Sequence, residues 1–504
     1  MTVPRTPLSE SSPVTRLSLF LVMGLGLLFR IPGIQWGLPL KYVHIDESVV
    51  IHYSMRIVAG AMNPDFYDYP GFFLFLLAGW MRLTALVHGW ILGAGLDELA
   101  GRYVAGDAAF FTLAARSLTV GFALLTVALA FGMGRRRAGG IVGWGAAAVL
   151  AVSALHIRES HYGTIDVAAC FFTLWAMDKI AVYGETQRTR DGADAAFLVG
   201  LAAATKYYPG VLLLPLAGLP FAGRHPRPVR SVIVLLFASA AGLFAGSPFT
   251  VLSAGEFLAR FNHLAPKIVG LPGRSVPFWQ TAANLWQNAG PLAVLSGLSG
   301  AALSLKQKGP WRTLAILWLT LFVFFSFWSH QPPHYGLALY PPLFLFAFFA
   351  ADQISWRRPW PSVLLALGLL SFSLPSAVRE VMYLRLPDTR LQAAQWVREN
   401  IPPGRSILRF SNTPNFNRSD PYRIQVDFTD QRLSWVGRGI EERKRGLESL
   451  REFDYLIVGG GMSGVFEPAF HLLKRFSDPA SSGFHNPVLE IYAADHPAAK
   501  PARP

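Results

Sequence analysis

Four groups of residues carry types and spacings that chemistry can use. The first is His44-Ile45-Asp46-Glu47, where a carboxylate pair beside a histidine can take a proton from a hydroxyl or amine, or ligate a metal ion. A solvated acidic loop is the plainer reading of the same residues. The second runs from His156 to Asp166 and holds Arg158, Glu159 and His161. Arg158 suits a phosphate, and His161 is a candidate substrate contact. Asp166 suits the first turn of a helix, where the dipole stabilises a carboxylate. Interfacial anchors and a helix cap explain the same pattern, and a spacing of five does not put His156 and His161 on one helix face as zinc ligands. The third is Lys206-Tyr207-Tyr208, joined by Arg116 inside an apolar run. A lysine held at a membrane surface is a point-charge partner for a lipid phosphate, and a snorkelling lysine in an aromatic belt is the alternative. An arginine within an apolar run needs an anion or a buried carboxylate. The fourth is His330-Gln331-Pro332-Pro333-His334-Tyr335, where His334 and Tyr335 can meet a phosphate or a sugar hydroxyl and the two prolines alone make a rigid turn.

The elements that position these groups are membrane spans. Of 504 residues, 52% are hydrophobic and only 15% charged, with mean hydropathy +0.35, which excludes an ordinary soluble domain. Apolar runs lie near 16–34, 108–134, 140–155, 164–182, 194–206, 209–222, 229–246, 289–305, 311–329, 335–351 and 360–376, about eleven spans. The first has no small-x-small cleavage site at Ile31-Pro32-Gly33-Ile34-Gln35-Trp36 and reads as an uncleaved helix. Cys170 is the single cysteine, so neither an intrachain disulfide nor a cysteine-cluster metal site is available.

The net charge of +14 reads as topology rather than as a nucleic-acid surface. With a cytoplasmic N-terminus, the inside segments carry Arg135, Arg136 and Arg137; Arg188 and Arg190; Arg224, Arg227 and Arg230; Lys306, Lys308 and Arg312; and Arg357 and Arg358. Every one is basic, as the positive-inside rule demands. This places Pro70 to Leu92, interrupted by Arg82 and His88, as an interfacial or partly inserted helix within a long external loop, 35–107. The ionisable groups above then converge on the external face.

The expected division is a transmembrane domain over 1–376 and a soluble extracytoplasmic α/β domain over 377–504. The tail holds 18 Lys+Arg and 15 Asp+Glu, a far denser charge than the spans. Thr389 to Asn400 reads as a helix stopped by Pro402 and Pro403, with strands at Tyr455 to Val458 and Val488 to Tyr492. Gly459, Gly461 and Gly464 match G-x-G-x-x-G, and Glu490 stands where a ribose acid might be sought. The unit lies close to the chain end without the rest of a doubly wound sheet, so a Gly-rich turn is the expectation.

The order of these motifs resembles the polytopic GT-C glycosyltransferases, more narrowly the branch of protein O-mannosyltransferases and aminoarabinose lipid A transferases. The residues that carry the resemblance are Asp46-Glu47 after the first span, Asp68-Tyr69-Pro70-Gly71, Ala115-Arg116-Ser117-Leu118, and Gly134-Arg135-Arg136. His156 to Asp166, Ala203-Ala204-Thr205-Lys206-Tyr207-Tyr208, Tyr340-Pro341-Pro342, and Leu391 to Pro403 continue it. The resemblance implies an α-helical polytopic fold and transfer of a sugar from a polyprenyl-phosphate carrier to an extracytoplasmic protein or glycolipid acceptor, with inversion. It implies a place in the cytoplasmic (inner) membrane, with the active site and the tail outside.

Carried over by position, Asp46 is the base or acceptor-orienting carboxylate, Glu47 its support and Asp166 a second acid beside the site. Lys206 and Arg116 face the donor phosphate, and Arg158 joins them on charge and location. His44, His161, Tyr207, His334 and Tyr335 are candidate substrate contacts. A divalent metal ion held by Asp46, with Asp166, stays an open option. The lipid A branch has Lys-Pro-Pro where this chain has Tyr69-Pro70-Gly71, which removes one phosphate ligand. A transporter or lipid flippase is the main alternative, but it predicts inverted repeats and charges at mid-membrane, and the chain shows no convincing repeat. A membrane scaffold with a partner-binding tail leaves the convergence of Asp46, Asp166 and Lys206 unexplained.

Overall fold

The structure, a computed structural model, describes residues 13–495 except 42, 224, 270–277, 330, 355–358 and short stretches between 411 and 486. Arg224, His330, Arg357, Arg358, Gly461 and Gly464 of the sequence analysis lie outside the described residues. The helices are α1 (Pro13–Leu28), α2 (Ile45–Val58), α3 (Phe72–Leu92), α4 (Leu96–Ala105), α5 (Ala109–Ala138), α6 (Gly140–Ala151), α7 (Ala154–Ser160), α8 (Asp166–Thr186), α9 (Thr189–Thr205) and α10 (Leu213–Ala222). There follow α11 (Pro228–Gly246), α12 (Phe249–Leu252), α13 (Ala254–Val269), α14 (Gln280–Ala289), α15 (Pro291–Leu305), α16 (Pro310–Ser326), α17 (Tyr340–Ile354), α18 (Trp360–Arg385), α19 (Thr389–Asn400) and α20 (Ile440–Leu450). Proline starts α11, α15 and α16, where its missing N–H would have no helical partner in any case.

Among the described residues, 6 helices are long and apolar enough to cross a membrane, and up to 8 if each of two bent pairs is one span. The pairs are α6 with α7, bent by 59°, and α14 with α15, bent by 118°. Shorter apolar helices accompany them at Thr15–Leu28, Tyr208–Ala222 and Pro310–Ser326. The chain is a multi-pass membrane protein. One difference from the sequence reading concerns α3, taken there as interfacial: its 21 residues have a hydropathy of 1.5, and it too qualifies as a span by length and composition.

The chain folds as two compact units. The first comprises 1–34, 50–84 and 113–381, and the second 35–49, 85–112 and 382–504. The sequence reading divides the chain at 376/377, but α18 runs unbroken through that point, and the second unit also takes in two stretches of the expected external loop.

In the first unit, small residues let backbones meet. Gly200 of α9 faces Ser239 O of α11, Gly242 of α11 faces Phe197 O of α9, and neither position has room for a Cβ. Gly300 of α15 packs in the same way on Phe346 O of α17. Where α5 ends, Arg136 Nη2 and Arg137 Nη1 lie 2.9 and 2.6 Å from the two oxygens of Asp178 on α8, a carboxylate only 8% exposed. Asp178 stands 12 residues, or about 18 Å of helix, from Asp166 at the start of α8. One helix thus carries an acid toward each end of the bundle.

The second unit is built on a five-stranded sheet of β1 (Ser406–Phe410), β2 (Arg423–Asp427), β3 (Tyr455–Gly459), β4 (Phe470–Phe476) and β5 (Leu489–Ala494), in the order β2-β1-β3-β5-β4. β1 is parallel to β2 and β3, while β5 is antiparallel to β3 and β4. The period of two sorts the strands between two cores. Ile407, Ile457 and Ile491 pack with Ala393 and Val397 of α19, and Leu408, Leu456 and Tyr492 with Leu447 and Leu450 of α20. The helix read from the tail sequence is α19, the first strand lies within β3, and the second matches β5 except for Val488, which precedes it. Glu490, fully buried, accepts from Tyr492 Oη at 2.8 Å and Met462 N at 3.2 Å. Those bonds tie Met462, in the stretch after β3, to β5.

Candidate active site

In the first unit, α9 ends where Lys206 turns to an extended conformation, and the chain re-enters a short 3-10 turn at Tyr208–Leu212. That break brings the Lys206 ammonium to 2.6 Å from Asp166 Oδ1 in the first turn of α8. The two side chains are 12% and 11% exposed. The ring of Tyr335 faces the ammonium at 4.5 Å from its centroid, and His334 meets Tyr335 edge-on at 4.9 Å. A lysine flanked by a carboxylate and an aromatic face is held in one place, and an ammonium so held can serve an oxyanion beside Asp166.

Tyr207 extends the cluster. Its hydroxyl donates to Tyr67 O at 3.0 Å, and its ring packs on Phe257 and Phe261 of α13. Tyr67 Oη in turn donates to Glu256 Oε2 at 2.9 Å, and Arg260 Nη2 donates to Asp68 Oδ2 at 2.6 Å. The segment before α3 is therefore strapped to α13. The sequence reading quotes Asp68 and Tyr69 but assigns neither a role, and it passes over Tyr67, Glu256 and Arg260. Their partners lie about 190 residues away, a separation that carries no periodic signal.

Arg116 is fully buried on α5 and donates to Ile34 O at 2.7 Å. Arg158 Nε meets Glu159 Oε1 at 3.3 Å on α7. His161 has both ring nitrogens on backbone carbonyls, Nδ1 at 2.8 Å from Ile157 O and Nε2 at 3.0 Å from Pro32 O. Those contacts commit its ring to tying α7 to the chain after α1 rather than to a substrate. The companion His156 Nδ1 lies 2.8 Å from Arg30 Nη2, and Arg30 also reaches Ser160 Oγ, Gly26 O and Ala151 O. Arg30, absent from the sequence reading, is thus a buried pin for the bend between α6 and α7.

The second unit holds the first motif. His44 precedes α2, and its Nδ1 accepts from Glu47 N at 3.4 Å, so Asp46 and Glu47 occupy the helix's first turn, where the dipole favours their charge. Glu47 and His44 are buried, while Asp46 is half-buried. The segment before the motif is clamped from the tail. Arg390 Nη1 donates to Val43 O at 2.7 Å, and its Nε and Nη2 form a fork with Asp388 at 2.9 and 2.7 Å. The Trp36 ring lies 5.7 Å from the guanidinium carbon. Nothing in the local sequence marks Arg390 beyond its place after an Asp helix cap. Among the described residues, no group of three or more His, Cys, Asp or Glu side chains is placed to hold a metal ion.

Comparison with known proteins adds what the chain is similar to. Residues 108–251, which span Arg116, the second motif and Lys206, match the family model of the dolichyl-phosphate-mannose-protein mannosyltransferases. No curated protein matches the chain by sequence. By structure the chain is similar to ArnT from Cupriavidus metallidurans in the apo state, at a TM-score of 0.56 and 12% identity, covering 95% of this chain and 98% of that one. It is similar to the same protein bound to undecaprenyl phosphate, at a TM-score of 0.55 and 14% identity over 95% and 98% of the two chains. The Archaeoglobus fulgidus oligosaccharyltransferase, in a complex with zinc and sulfate, matches at a TM-score of 0.53 and 13% identity over 95% of this chain and 73% of that one. The chain thus shares the fold of these proteins along nearly its whole length, and the match to the mannosyltransferase family model lies across the candidate site.

Proposed function

We propose that the protein transfers a sugar from a polyprenyl-phosphate carrier to an acceptor on the extracytoplasmic side of the cytoplasmic membrane. The observation that carries this reading is the Lys206 ammonium, nearly enclosed and oriented by Asp166 and Tyr335 at one end of an apolar helical bundle. A prenyl chain stays in the bilayer, so its phosphate must be met by a cation near the membrane surface, which is where a lysine between two apolar segments stands. A structural relative carries undecaprenyl phosphate, which fits the same substrate class.

The chemistry uses the chain's own residues. Asp46 accepts the proton of the acceptor hydroxyl or amine while that atom attacks the anomeric carbon from the face opposite the phosphate. The bond from the anomeric carbon to the phosphate oxygen breaks, and its electron pair stays on the phosphate. Lys206, with Arg116 and Arg158 as further cations, stabilises that growing charge. Attack opposite the leaving group inverts the anomeric centre. Glu47 and His44 support Asp46 at the start of α2.

The test is transfer of labelled sugar from polyprenyl-phosphate donors in membranes holding equal amounts of intact protein and Asp46→Asn. Loss of transfer with retained binding of the carrier supports the reading. Undiminished transfer by Asp46→Asn removes Asp46 from the chemistry, and failure of any carrier to bind the intact protein removes the donor class.

A further inference from the structure

In the first unit, the helix before the 118° bend carries a polar stripe: Gln280, Thr281, Asn284 and Asn288 fall within about 100° of arc on α14. Thr281 and Asn284 are buried, and buried polar groups are kept where they are hydrogen-bonded. Asn284 is the hub. Its Nδ2 donates to Gln331 O at 2.9 Å, and its Oδ1 accepts from Gln280 Nε2 at 2.9 Å. Its backbone carbonyl accepts from Asn288 Nδ2 at 2.8 Å and from Tyr340 Oη at 3.1 Å. Thr281 Oγ1 donates to Gln331 Oε1 at 2.8 Å, and Gln331 Nε2 donates to Trp328 O at 2.6 Å. Gln331 is therefore fixed through its backbone and its side chain alike. It opens the turn that carries Tyr335. Pro332 and Pro333 have fixed φ, and Tyr335 N donates to Pro332 O at 3.0 Å, so few torsions between Gln331 and Tyr335 are free. Trp328 meets the Tyr335 ring edge-on at 5.4 Å, and that ring faces the Lys206 ammonium at 4.5 Å.

We propose that Asn284 is a positioning residue for the donor site: through Gln331 and the proline turn it holds the Tyr335 ring against the Lys206 ammonium, and so sets where that cation meets the donor phosphate. The inference rests on the donor reading of Lys206 given above. Two roles of Asn284 separate by atom. The tie to Tyr340 at the start of α17 uses the backbone carbonyl, which any residue at 284 supplies, whereas the hold on Gln331 uses the side-chain amide. Asn284→Ala thus keeps the first and removes the second. An ammonium on a flexible stem gains from an aromatic face only while the face stays in register, so a loosened Tyr335 weakens both the shielding and the placement of Lys206.

The experiment follows acetylation of Lys206 by acetic anhydride in the full-length protein, read by mass spectrometry against the exposed Lys308, in Asn284→Ala, Tyr335→Leu and the double variant. Tyr335→Leu is expected to raise the Lys206 rate about two- to thirtyfold, the scale of a cation–π contact, with Lys308 unchanged. Asn284→Ala gives part of that rise, and the double variant matches Tyr335→Leu alone, because a residue that acts through Tyr335 has nothing left to act on. In sugar transfer the donor KM rises in the same order while kcat holds. An unchanged Lys206 rate in folded Asn284→Ala overturns the proposal, as do effects that multiply in the double variant. A raised rate with an unaltered donor KM breaks the link to the donor site and overturns it too. Where no carrier supports transfer and the acetylation pattern holds, the donor reading falls and the positioning of Lys206 by Asn284 stands. Should Asn284→Ala fail to fold, Thr281→Val, which removes the other hold on Gln331 from α14, is read in the same way with the same outcomes.

Discussion

Lys206 Nζ and Asp166 Oδ1 lie 2.6 Å apart across 40 residues of chain, joining the broken end of α9 to the first turn of α8. Asp166 is stabilised there by the helix dipole, and Lys206 by Asp166 and the Tyr335 ring. The pair is nearly enclosed, so a substrate phosphate entering beside it meets a cation already fixed in space. The ordering cost of a flexible four-carbon stem has been met in folding rather than at binding.

On the proposed reading, replacing Lys206 by Met removes a charge-assisted contact worth about 1.5–3 kcal/mol to the donor phosphate, or about 10- to 150-fold in kcat/KM. Asp166→Asn keeps the cation but loosens it, and a smaller loss falls mainly on KM. The measurement is donor-dependence of transfer for both variants. A Lys206→Met protein with unaltered kcat/KM sinks the phosphate role.

Membrane sidedness has its own test, helped by chemistry the chain already provides. The single cysteine, Cys170, is fully buried and will not react with an impermeant thiol reagent. Cysteines placed at the exposed positions Glu448 and Lys308 thus report alone. The positive-inside reading expects Glu448→Cys to label in intact cells and Lys308→Cys only after permeabilisation. The opposite pattern inverts the topology.

What the sequence discloses follows the range of each force. Hydrophobic runs and the period-two strands are local, so α5, α8, α11 and β3 can be read directly from their residues. Lys206 and Asp166 can be singled out because charge beside apolar runs is costly, although their contact cannot be derived from a spacing of 40. The strap from Tyr67 to Glu256, the Arg30 pin and the Arg390 clamp link residues more than 120 positions apart, and each looks like an ordinary polar residue in its own neighbourhood. The character of α3 is also beyond local reading: Arg82 donates to Val58 O at 2.8 Å, a partner that lets an arginine sit on an otherwise apolar helix.

The Asp178 site predicts a stability effect far from any substrate. Asp178→Ala leaves Arg137, 7% exposed, without its anion, and breaking such a pair from one side costs about 3–5 kcal/mol. The thermal midpoint of the intact protein in detergent should fall clearly. Pairing Asp178→Ala with Arg137→Met should recover part of the loss, because no unpaired buried guanidinium then remains. A double variant less stable than the single one would contradict the argument.

Arg390 makes the last prediction, through the segment that leads to Asp46. Its fork with Asp388 is 2% exposed on both sides, and the same guanidinium holds Val43 O, three residues before Asp46. Arg390→Met strands the Asp388 charge and leaves the Val43 carbonyl without this donor. Hydrogen exchange should therefore rise in residues 35–49 as well as in α19. A second variant, Arg390→Met with Asp388→Asn, removes the stranded charge while keeping a side chain able to cap α19, so exchange in α19 should return toward that of the intact protein. Exchange in 35–49 should stay raised, because neither substitution restores a donor to Val43. If both segments recover together, the effect on 35–49 comes from the stranded charge, and Arg390 does not itself position the chain before Asp46.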